Sequence, residues 1–485
     1  MVIEELLSRG EGKTLEFKRE LSSPKGLMKT LVAFSNTAGG KIIVGIDDSK
    51  KVVGVDRPLD EEERLCSMIA DSIKPRLVPN VELMTVDGKT LLIVEVFLSN
   101  SRPHYIAAEG PDQGVYVRLG SSNRQADREL VGELRRSAEG VSYDELPMPE
   151  LSEDDLDLKA ARRLFRGRRP LDEQELLTLK LMRREQGRLV PTRGGMLLFG
   201  RERVFHYPDA WVQCGRFIGN DKGDIFDHIE LEESLPESVE SIMLFLKKHA
   251  MRGADFSEIQ RKDVWSIPID ILREVVINAL VHSDYSQRGA PVRVAFFDDR
   301  IEVENPGILM PGMTIEDMKS GVSKIRNPVI ARVFRELKLI EQWGSGVRNI
   351  LRAVARLKLP EPLVQEIGMR VRFTVYLAKP HILEKQLVGS RTSVATGLVD
   401  GAQSRAQSGA QSKLVLTALQ SGSLSASEIA CKLELESKTG AFKRLIKDLT
   451  EKQLIEYTLP DKPKSRLQKY RLTEAGRAIL ASMDS

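Results

Sequence analysis

The stretch 271–282 restricts the possible folds of this chain more than any other part of its sequence. Glu274, Asn278 and His282 recur there at every fourth position, so they line one stripe of a helix. Apolar residues occupy almost every other position: Ile271, Leu272, Val275, Val276, Ile277, Ala279, Leu280 and Val281. A helix that is apolar nearly all round is buried. Because each unpaired buried polar group costs roughly 1–3 kcal/mol, the three polar side chains need partners, and a ligand-filled pocket supplies them.

Two glycine motifs follow this helix in order, ENPG at 304–307 and GSG at 344–346. With the helix, they resemble the GHKL family of ATP-binding proteins, whose helix asparagine holds a Mg²⁺ ion that bridges the phosphates and whose helix glutamate orients the attacking water. The resemblance gives these roles to Asn278 and Glu274, so Glu274 is the catalytic candidate for ATP hydrolysis. It also implies that backbone N–H groups of the GSG motif hold phosphate at a helix start. The residues concerned are Gly344, Ser345 and Gly346, with Lys324 and Arg326 as candidate phosphate partners.

The adenine position departs from the family pattern. GHKL proteins use an aspartate in a D-x-G motif, whereas this chain has Asn305, Pro306 and Gly307. The amide oxygen of Asn305 accepts a hydrogen bond from the adenine amino group more weakly than a carboxylate does. We therefore expect ATP and Mg²⁺ as cofactors, with slow turnover, and we expect His282 to be a structural histidine of the pocket. The alternative is a domain that has lost its nucleotide and serves as a scaffold.

The first 140 residues contain a second set of ordered motifs. They are EGKTLEFK at 11–18, AFSNTAGG at 33–40 and GIDD at 45–48. These motifs resemble the AlbA-type domain of the Schlafen family. Some members of that family cut structured RNA with two glutamates and an aspartate, and the resemblance gives those roles to Glu11, Glu16 and Asp48. Clustered carboxylates bind Mg²⁺ or Mn²⁺, which activates water and stabilises the phosphoryl transition state.

The same residues allow a simpler interpretation. Glu16 then pairs with a neighbouring cation such as Lys18 as part of the fold, and the domain contacts nucleic acid without cutting it. The candidate phosphate contacts are Lys18, Arg118 and Arg124. RNA is the partner that the family resemblance implies for this domain.

Residues 413–485 are basic, with 13 Lys and Arg against 9 Asp and Glu, whereas the net charge of the whole chain is +3. Ser425 and Glu428 form a capping-box pattern at a helix start, a second helix is predicted from 437 to about 450, and strands are predicted at 453–458 and 468–472. This order resembles a winged helix. The candidate DNA contacts are Lys438, Lys443, Arg444 and Lys447 on the second helix and Lys464 and Arg466 in the basic wing. Winged helices also mediate protein contacts, which stays the alternative.

Composition narrows the class of protein. The 485 residues predict about three domains. Three cysteines, Cys66, Cys214 and Cys431, lie far apart, which argues against a zinc site and a disulfide framework and fits a reducing cytosol. The start of the chain does not resemble a signal peptide, and no apolar run is long enough to cross a membrane. We therefore expect a cytoplasmic protein with no membrane partner.

These patterns predict a multi-domain α/β (α+β) protein with five segments. They are an AlbA-type domain at 1–140, a connecting helical and strand segment at 141–234, a divergent GHKL-like domain at 235–382, a flexible linker at 383–412 and a winged helix at 413–485. The combination resembles bacterial transcriptional regulators, so we expect a homo-oligomeric regulator that binds nucleic acid at its ends and ATP at its centre. The alternatives are a metal-dependent endoribonuclease controlled by the ATPase-like domain and an oligomeric scaffold without catalysis.

Overall fold

The chain forms two compact units, Met1–Ser390 and Arg391–Ser485. The computed structural model describes residues 3–168, 170–250, 252–255, 262–265, 269–340 and 346–377 of the first unit. In the second unit it describes residues 415–420, 422–425, 428–429, 432, 446, 449–450, 454–458 and 469–483. The predicted linker at 383–412 lies outside the described residues. Within the described part of the chain, no helix is both long and apolar enough to pass through a lipid bilayer.

The N-terminal domain is built from short strands and three longer helices. Its elements are α1 (Ile3–Arg9), β1 (Leu15–Lys18), α2 (Pro24–Thr37), β2 (Gly40–Val44), α3 (Pro58–Ser72), β3 (Ile73–Lys74), β4 (Asn80–Val86), β5 (Lys89–Val96), β6 (Tyr105–Ile106), α4 (Gly110–Gln113), β7 (Tyr116–Leu119), β8 (Ser122–Gln125) and α5 (Arg128–Glu139). A four-stranded sheet has the order β1-β2-β5-β4, with β1 and β2 parallel. The pairs β3-β6 and β7-β8 complete the domain.

Helix α2 supplies the centre of this domain's core. Leu31 and Phe34 are fully buried and pack with Ile42 of β2 and Leu92 of β5. Gly40 follows α2 closely in the chain, and a Cβ there would lie 2.7 Å from the Phe34 ring, so only glycine lets β2 pass this close to the helix.

Helix α5 ends the N-terminal domain, and a capping residue defines each of its two ends. The side chain of Asp127 accepts a hydrogen bond from the backbone N–H of Leu130, which caps the first turn. Gly140 has a left-handed conformation with φ of 71°, which stops the helix. One face of α5 carries Leu130, Val131 and Leu134 into an apolar cluster.

The connecting segment contains short helices and one β-hairpin. Its elements are α6 (Leu158–Leu164), α7 (Glu173–Thr178), β9 (Met182–Glu185), β10 (Arg188–Pro191), α8 (Arg193–Phe199) and α9 (Arg203–His206). The hairpin β9-β10 is antiparallel. Fully buried Phe165 and Leu197 tie the segment to the main core of the central domain.

The central domain is a six-stranded sheet covered by helices. Its elements are β11 (Val212–Phe217), β12 (Ile225–Leu231), α10 (Leu235–His249), β13 (Arg252–Asp255), β14 (Lys262–Trp265), α11 (Ile269–His282), β15 (Val292–Phe296), β16 (Arg300–Pro306), α12 (Ile315–Ser320), α13 (Pro328–Glu336), α14 (Gly346–Arg356), β17 (Leu363–Ile367) and β18 (Arg370–Tyr376). The strand order is β12-β11-β15-β16-β18-β17, with β11 and β15 parallel and the other pairs antiparallel. Because β11 and β12 belong to this sheet, it extends beyond the segment 235–382 that we predicted for the domain.

The second unit shows two of the predicted elements. Strands β19 (Ile455–Tyr457) and β20 (Tyr470–Leu472) pair antiparallel, and α15 (Glu474–Met483) follows. The backbone N–H of Ser425 donates to Glu428, and the backbone N–H of Glu428 donates to the Ser425 hydroxyl, as a capping box requires. The six basic residues predicted to contact DNA lie outside the described residues: Lys438, Lys443, Arg444, Lys447, Lys464 and Arg466.

Candidate nucleotide site

The polar stripe of α11 lines a cavity of about 190 Å³ in the central domain. All eight apolar residues predicted around this helix are buried. The three stripe residues, Glu274, Asn278 and His282, are half-buried and face the cavity. The helix is therefore buried as its periodicity predicts, and its polar stripe faces the cavity.

Four separate segments of the chain bring the predicted residues to this cavity. Helix α11 supplies the stripe, the end of β16 supplies one amide, the stretch between α12 and α13 supplies Lys324 and Arg326, and the start of α14 supplies a glycine. The predicted residues that line the cavity include Glu274, Asn278, His282, Asn305, Lys324 and Gly346. Gly307 lies just beyond, in the turn after β16, where its φ of 98° favours glycine. Gly344 and Ser345 lie outside the described residues.

The first residue of α14 touches the polar stripe. A Cβ added to Gly346 would lie 2.0 Å from Glu274 Oε1 and 3.4 Å from Asn278 Nδ2. A residue with a Cβ at this position would displace the Glu274 side chain, so glycine lets the N-terminus of α14 lie against the polar stripe as it stands. The exposed N–H groups at a helix start attract anions, so this end of α14 suits a phosphate group next to Asn278.

Both asparagines of the site use their amide nitrogens within the protein. Asn278 Nδ2 donates to Glu274 Oε1 at 3.2 Å. Asn305 Nδ2 donates to the Pro306 carbonyl at 3.1 Å and to the His282 carbonyl at 3.4 Å. Each amide therefore keeps its Oδ1 as the acceptor for a ligand. Oxygen ligands suit Mg²⁺, and an amide oxygen suits the adenine amino group. The residues present fit Mg²⁺ and ATP in this respect.

The cations at the cavity have different environments. Lys324 is exposed, and its Nζ donates to the Pro311 carbonyl at 2.8 Å. Arg326 is buried, with one guanidinium nitrogen bonded to Glu133 and another to the Ile308 carbonyl. Burial, together with the positive charge of Arg326, lowers the pKa of His282 to about 4. His282 is therefore neutral at pH 7, and Lys324 is better placed than Arg326 to meet phosphate.

The apolar wall of the cavity was missed in the sequence. It includes Met310, Met313, Met318 and Phe373. The three methionines follow the ENPG motif within a short distance, in a chain with 14 methionines in 485 residues. This clustering is the signal that would have identified them, because flexible methionine side chains adapt to the shape of a ligand.

In the N-terminal domain, Glu16 is paired with two cationic side chains. Its Oε2 lies 2.7 Å from Arg118 Nη1, and its Oε1 lies 2.5 Å from Lys18 Nζ. Arg118 is only 2% exposed and also donates to the Gly12 carbonyl. This corrects the expectation that Arg118 contacts phosphate, because its guanidinium is buried against a carboxylate. The simpler interpretation of Glu16 as an ion-pairing residue agrees with this geometry.

The other two carboxylates have different environments. Glu11 Oε1 accepts a hydrogen bond from the backbone N–H of Phe17, and Asp48 is exposed in the loop after β2. Among the residues that the structure describes, no group of three His, Cys, Asp or Glu side chains is arranged to hold a metal ion. The structure therefore does not bring Glu11, Glu16 and Asp48 together as a metal site. Arg124 is exposed, as a phosphate contact must be.

Three family models match parts of the chain. Residues 11–127 match the family "Schlafen, AlbA_2". Residues 289–376 match HATPase_c_4, described as "Putative ATP-dependent DNA helicase recG C-terminal". This match includes Asn305, Lys324 and Gly346 but begins after the stripe of α11. Residues 410–473 match "Filamentation induced by cAMP protein Fic-like, C-terminal domain". No curated protein matches the chain.

Three solved structures show similarity to the chain. The DIP2311 protein from Corynebacterium diphtheriae is 21% identical, with 99% of this chain and 97% of that chain covered and a TM-score of 0.43. The N-terminal domain of a RecG-related protein from Nitrosomonas europaea is 32% identical over 26% of this chain and 90% of its own, with a TM-score of 0.21. A Fic family protein from Desulfovibrio desulfuricans G20 is 16% identical over 72% and 77% of the two chains, with a TM-score of 0.13. By its first and central domains, the chain belongs to the proteins that join a Schlafen AlbA_2 domain to a RecG-type HATPase_c_4 domain.

Proposed function

We propose that the cavity of the central domain binds ATP with Mg²⁺. One observation carries this proposal: seven residues chosen from the sequence for the nucleotide site, on segments as far apart as 274 and 346, line the same cavity. Unrelated polar residues have no reason to converge in this way. The match of residues 289–376 to the HATPase_c_4 family supports the same ligand.

Each polar residue then has a defined task. Asn278 Oδ1 holds Mg²⁺, which neutralises phosphate charge when bound. The N-terminus of α14 and Lys324 hold the phosphates, and Asn305 Oδ1 accepts from the adenine amino group. Glu274, which accepts a hydrogen bond from Asn278, orients the attacking water. The methionine wall packs on the apolar parts of the nucleotide.

The domains on either side make this protein an ATP-responsive, nucleic-acid-binding regulator. The Schlafen AlbA_2 match supports nucleic-acid binding by the N-terminal domain, where Arg124 is exposed. In the second unit, the capping box and the β19-β20 hairpin agree with the winged-helix prediction. Transcription regulation is the role that fits an ATP-binding centre between two such domains.

Calorimetry tests the nucleotide site directly. We expect the full chain to bind AMP-PNP in the presence of Mg²⁺ and the Asn278→Ala variant to lose this binding, because it removes the oxygen that holds the ion. Asn80→Ala is the matched control, since Asn80 is exposed on β4 and far from the cavity residues in sequence. Absence of binding by the wild type at millimolar AMP-PNP would contradict the proposal.

A further inference from the structure

One wall of the cavity is formed by a segment whose outer side contacts the N-terminal domain. We call this segment, residues 307–326, the wall segment. It lines the cavity through residues such as Leu309, Met313 and Lys324. Its Ile308 is buried in an apolar cluster with Leu130 and Leu134 of α5. The wall segment therefore lies between the nucleotide cavity and the N-terminal domain.

A buried ion pair fixes the end of the wall segment. Glu133 of α5 contacts the Arg326 guanidinium, and each of the two residues is 6% exposed. Arg326 also donates to the Ile308 carbonyl and lies 3.9 Å from Asp284. A single arginine thus joins both ends of the wall segment to a carboxylate of the other domain.

Two further contacts connect the wall segment to the N-terminal domain. Lys13 Nζ lies 2.7 Å from Glu366 Oε2, and Glu366 Oε1 accepts from the backbone N–H of Leu309 at 2.9 Å. The backbone N–H of Gly312 donates to the Thr37 carbonyl at 2.6 Å. Lys13 and Glu366 are almost fully buried, so water weakens their attraction little.

The buried ion pair is not saturated with hydrogen bonds. In the described part of the chain, Glu133 Oε2, Arg326 Nε and Asp284 Oδ2 are buried without a hydrogen-bond partner. Buried polar atoms without partners are costly, so the free energy of this junction is sensitive to small displacements of the wall segment. The wall segment is thus attached to α5 at a junction whose stability depends on the position of Arg326.

We infer that Glu133 is a positioning residue for the nucleotide site, and that nucleotide binding in the central domain is coupled through Arg326 and the wall segment to the N-terminal domain. This inference rests on the proposed ATP site. Glu133 acts through Arg326 and does not itself touch the nucleotide. By thermodynamic reciprocity, a ligand that changes the position of α5 changes the affinity for ATP by the same factor that ATP changes the affinity for that ligand.

Calorimetry with AMP-PNP and Mg²⁺ on three full-length proteins tests the coupling. We expect Glu133→Gln to weaken AMP-PNP binding by roughly 5-fold or more, the lower range of typical coupling between sites. The matched control is Glu139→Gln, the same change at an exposed position of the same helix. We expect Glu139→Gln to leave the affinity for AMP-PNP unchanged. Circular dichroism establishes that both variants fold.

Hydrogen exchange on the wild type separates coupling from a purely structural role of Glu133. A purely structural role predicts no change of amide exchange in α5 when the nucleotide binds. Binding of AMP-PNP should slow amide exchange at Leu309 and Gly312 and in α5 of the other domain. In Glu133→Gln, the change in α5 should disappear while the change in the wall segment persists. If Glu133→Gln fails to fold, the wild-type exchange alone decides, and unchanged exchange in α5 on binding overturns the inference.

The outcomes separate this inference from the proposal beneath it. Wild-type binding with an equal affinity for Glu133→Gln overturns the coupling and leaves the ATP site in place. Absence of AMP-PNP binding by the wild type overturns the ATP site and the coupling with it. A loss of affinity in Glu139→Gln as large as in Glu133→Gln also overturns the inference, because the effect is then not specific to the buried ion pair.

Discussion

Glu16 was a candidate nuclease residue and Arg118 a candidate phosphate contact, and the structure shows the two side chains paired with each other. The pair joins β1 to β7, and Arg118 also donates to Asn123 of β8. An arginine with 2% exposure has lost nearly all of its hydration. The ion pair with Glu16 therefore compensates much of the desolvation penalty of the Arg118 charge. Glu16 therefore stabilises the fold of this domain through its ion pair with Arg118.

Replacement of Glu16 by glutamine should destabilise the N-terminal domain. Removal of one partner from a buried ion pair typically costs about 3–5 kcal/mol, because the other charge stays buried. Urea denaturation should show this loss for Glu16→Gln and almost none for Glu20→Gln, a control at an exposed position nearby. If Glu16→Gln keeps its stability but abolishes Mn²⁺-dependent cleavage of structured RNA, the endoribonuclease alternative replaces this interpretation.

His282 predicts how stability depends on pH. Its pKa in the folded protein is about 4, below the ordinary value of 6.5, because burial and Arg326 disfavour the charged ring. The unfolded chain therefore takes up a proton first, and the free energy of unfolding falls as pH drops from about 6.5 to about 4. The full loss from this residue amounts to about 3 kcal/mol.

Denaturation of His282→Gln across this pH range isolates the contribution. The difference in unfolding free energy between wild type and variant should shrink as pH falls, since only the wild type loses the stability due to a neutral His282. His228→Gln, at an exposed position, should show no such trend. A difference that stays constant between pH 7 and pH 4 would show that His282 is not held neutral.

At the scale of elements, periodic patterns in the sequence predicted helices and strands, but they did not predict which distant strands pair. The 3.6-residue repeat predicted α11 and its polar stripe, and the strands predicted at 453–458 and 468–472 correspond to β19 and β20. The hairpin β9-β10 was missed because its strands are short and rich in charged residues instead of apolar ones. Its turn, Gln186 and Gly187 with φ of 49° and 80°, was the remaining signal.

The boundary of the central domain was hidden for a different reason. Strand β11 pairs parallel with β15, so Val212 lies beside Val292 in the sheet. No local pattern shows that two such distant stretches are neighbours. The same limit explains why Glu133 was not identified from the sequence, since its contact with Arg326 exists only in the folded chain.

The close contact between α14 and α11 gives a prediction at the same scale. In Gly346→Ala the new Cβ would lie 2.0 Å from Glu274 Oε1, so the flexible Glu274 side chain must move. We expect a folded protein whose AMP-PNP affinity falls more than about 10-fold, equal to about 1.4 kcal/mol. Gly12→Ala is the control, because a Cβ there meets open space. Unchanged affinity in Gly346→Ala would show that this helix start does not contact the nucleotide.

For the whole molecule, the cavity of the central domain and the N-terminal domain belong to one compact unit, and the residues predicted to bind DNA belong to the other. The first unit has buried ion pairs between its domains, which suit the transmission of a binding event. The second unit has its own apolar core, which includes Leu416, Ile446 and Leu472. Its contribution to nucleic-acid binding can therefore be tested by changes on its surface.

Salt dependence of duplex DNA binding by the full chain tests the winged-helix prediction. Removal of one cation that meets a phosphate should reduce the slope of log affinity against log salt by about one. Replacement of Lys443, Arg444 and Lys447 by alanine should therefore flatten this slope by about three, measured by fluorescence anisotropy.

The control variant replaces Lys469 and Arg471, which pair with Glu428 and Glu456 and so offer little free charge to phosphate. An unchanged slope in the triple variant, with the control equal to wild type, would mean that the second helix does not meet DNA, and contact with another protein would become the better interpretation of this unit.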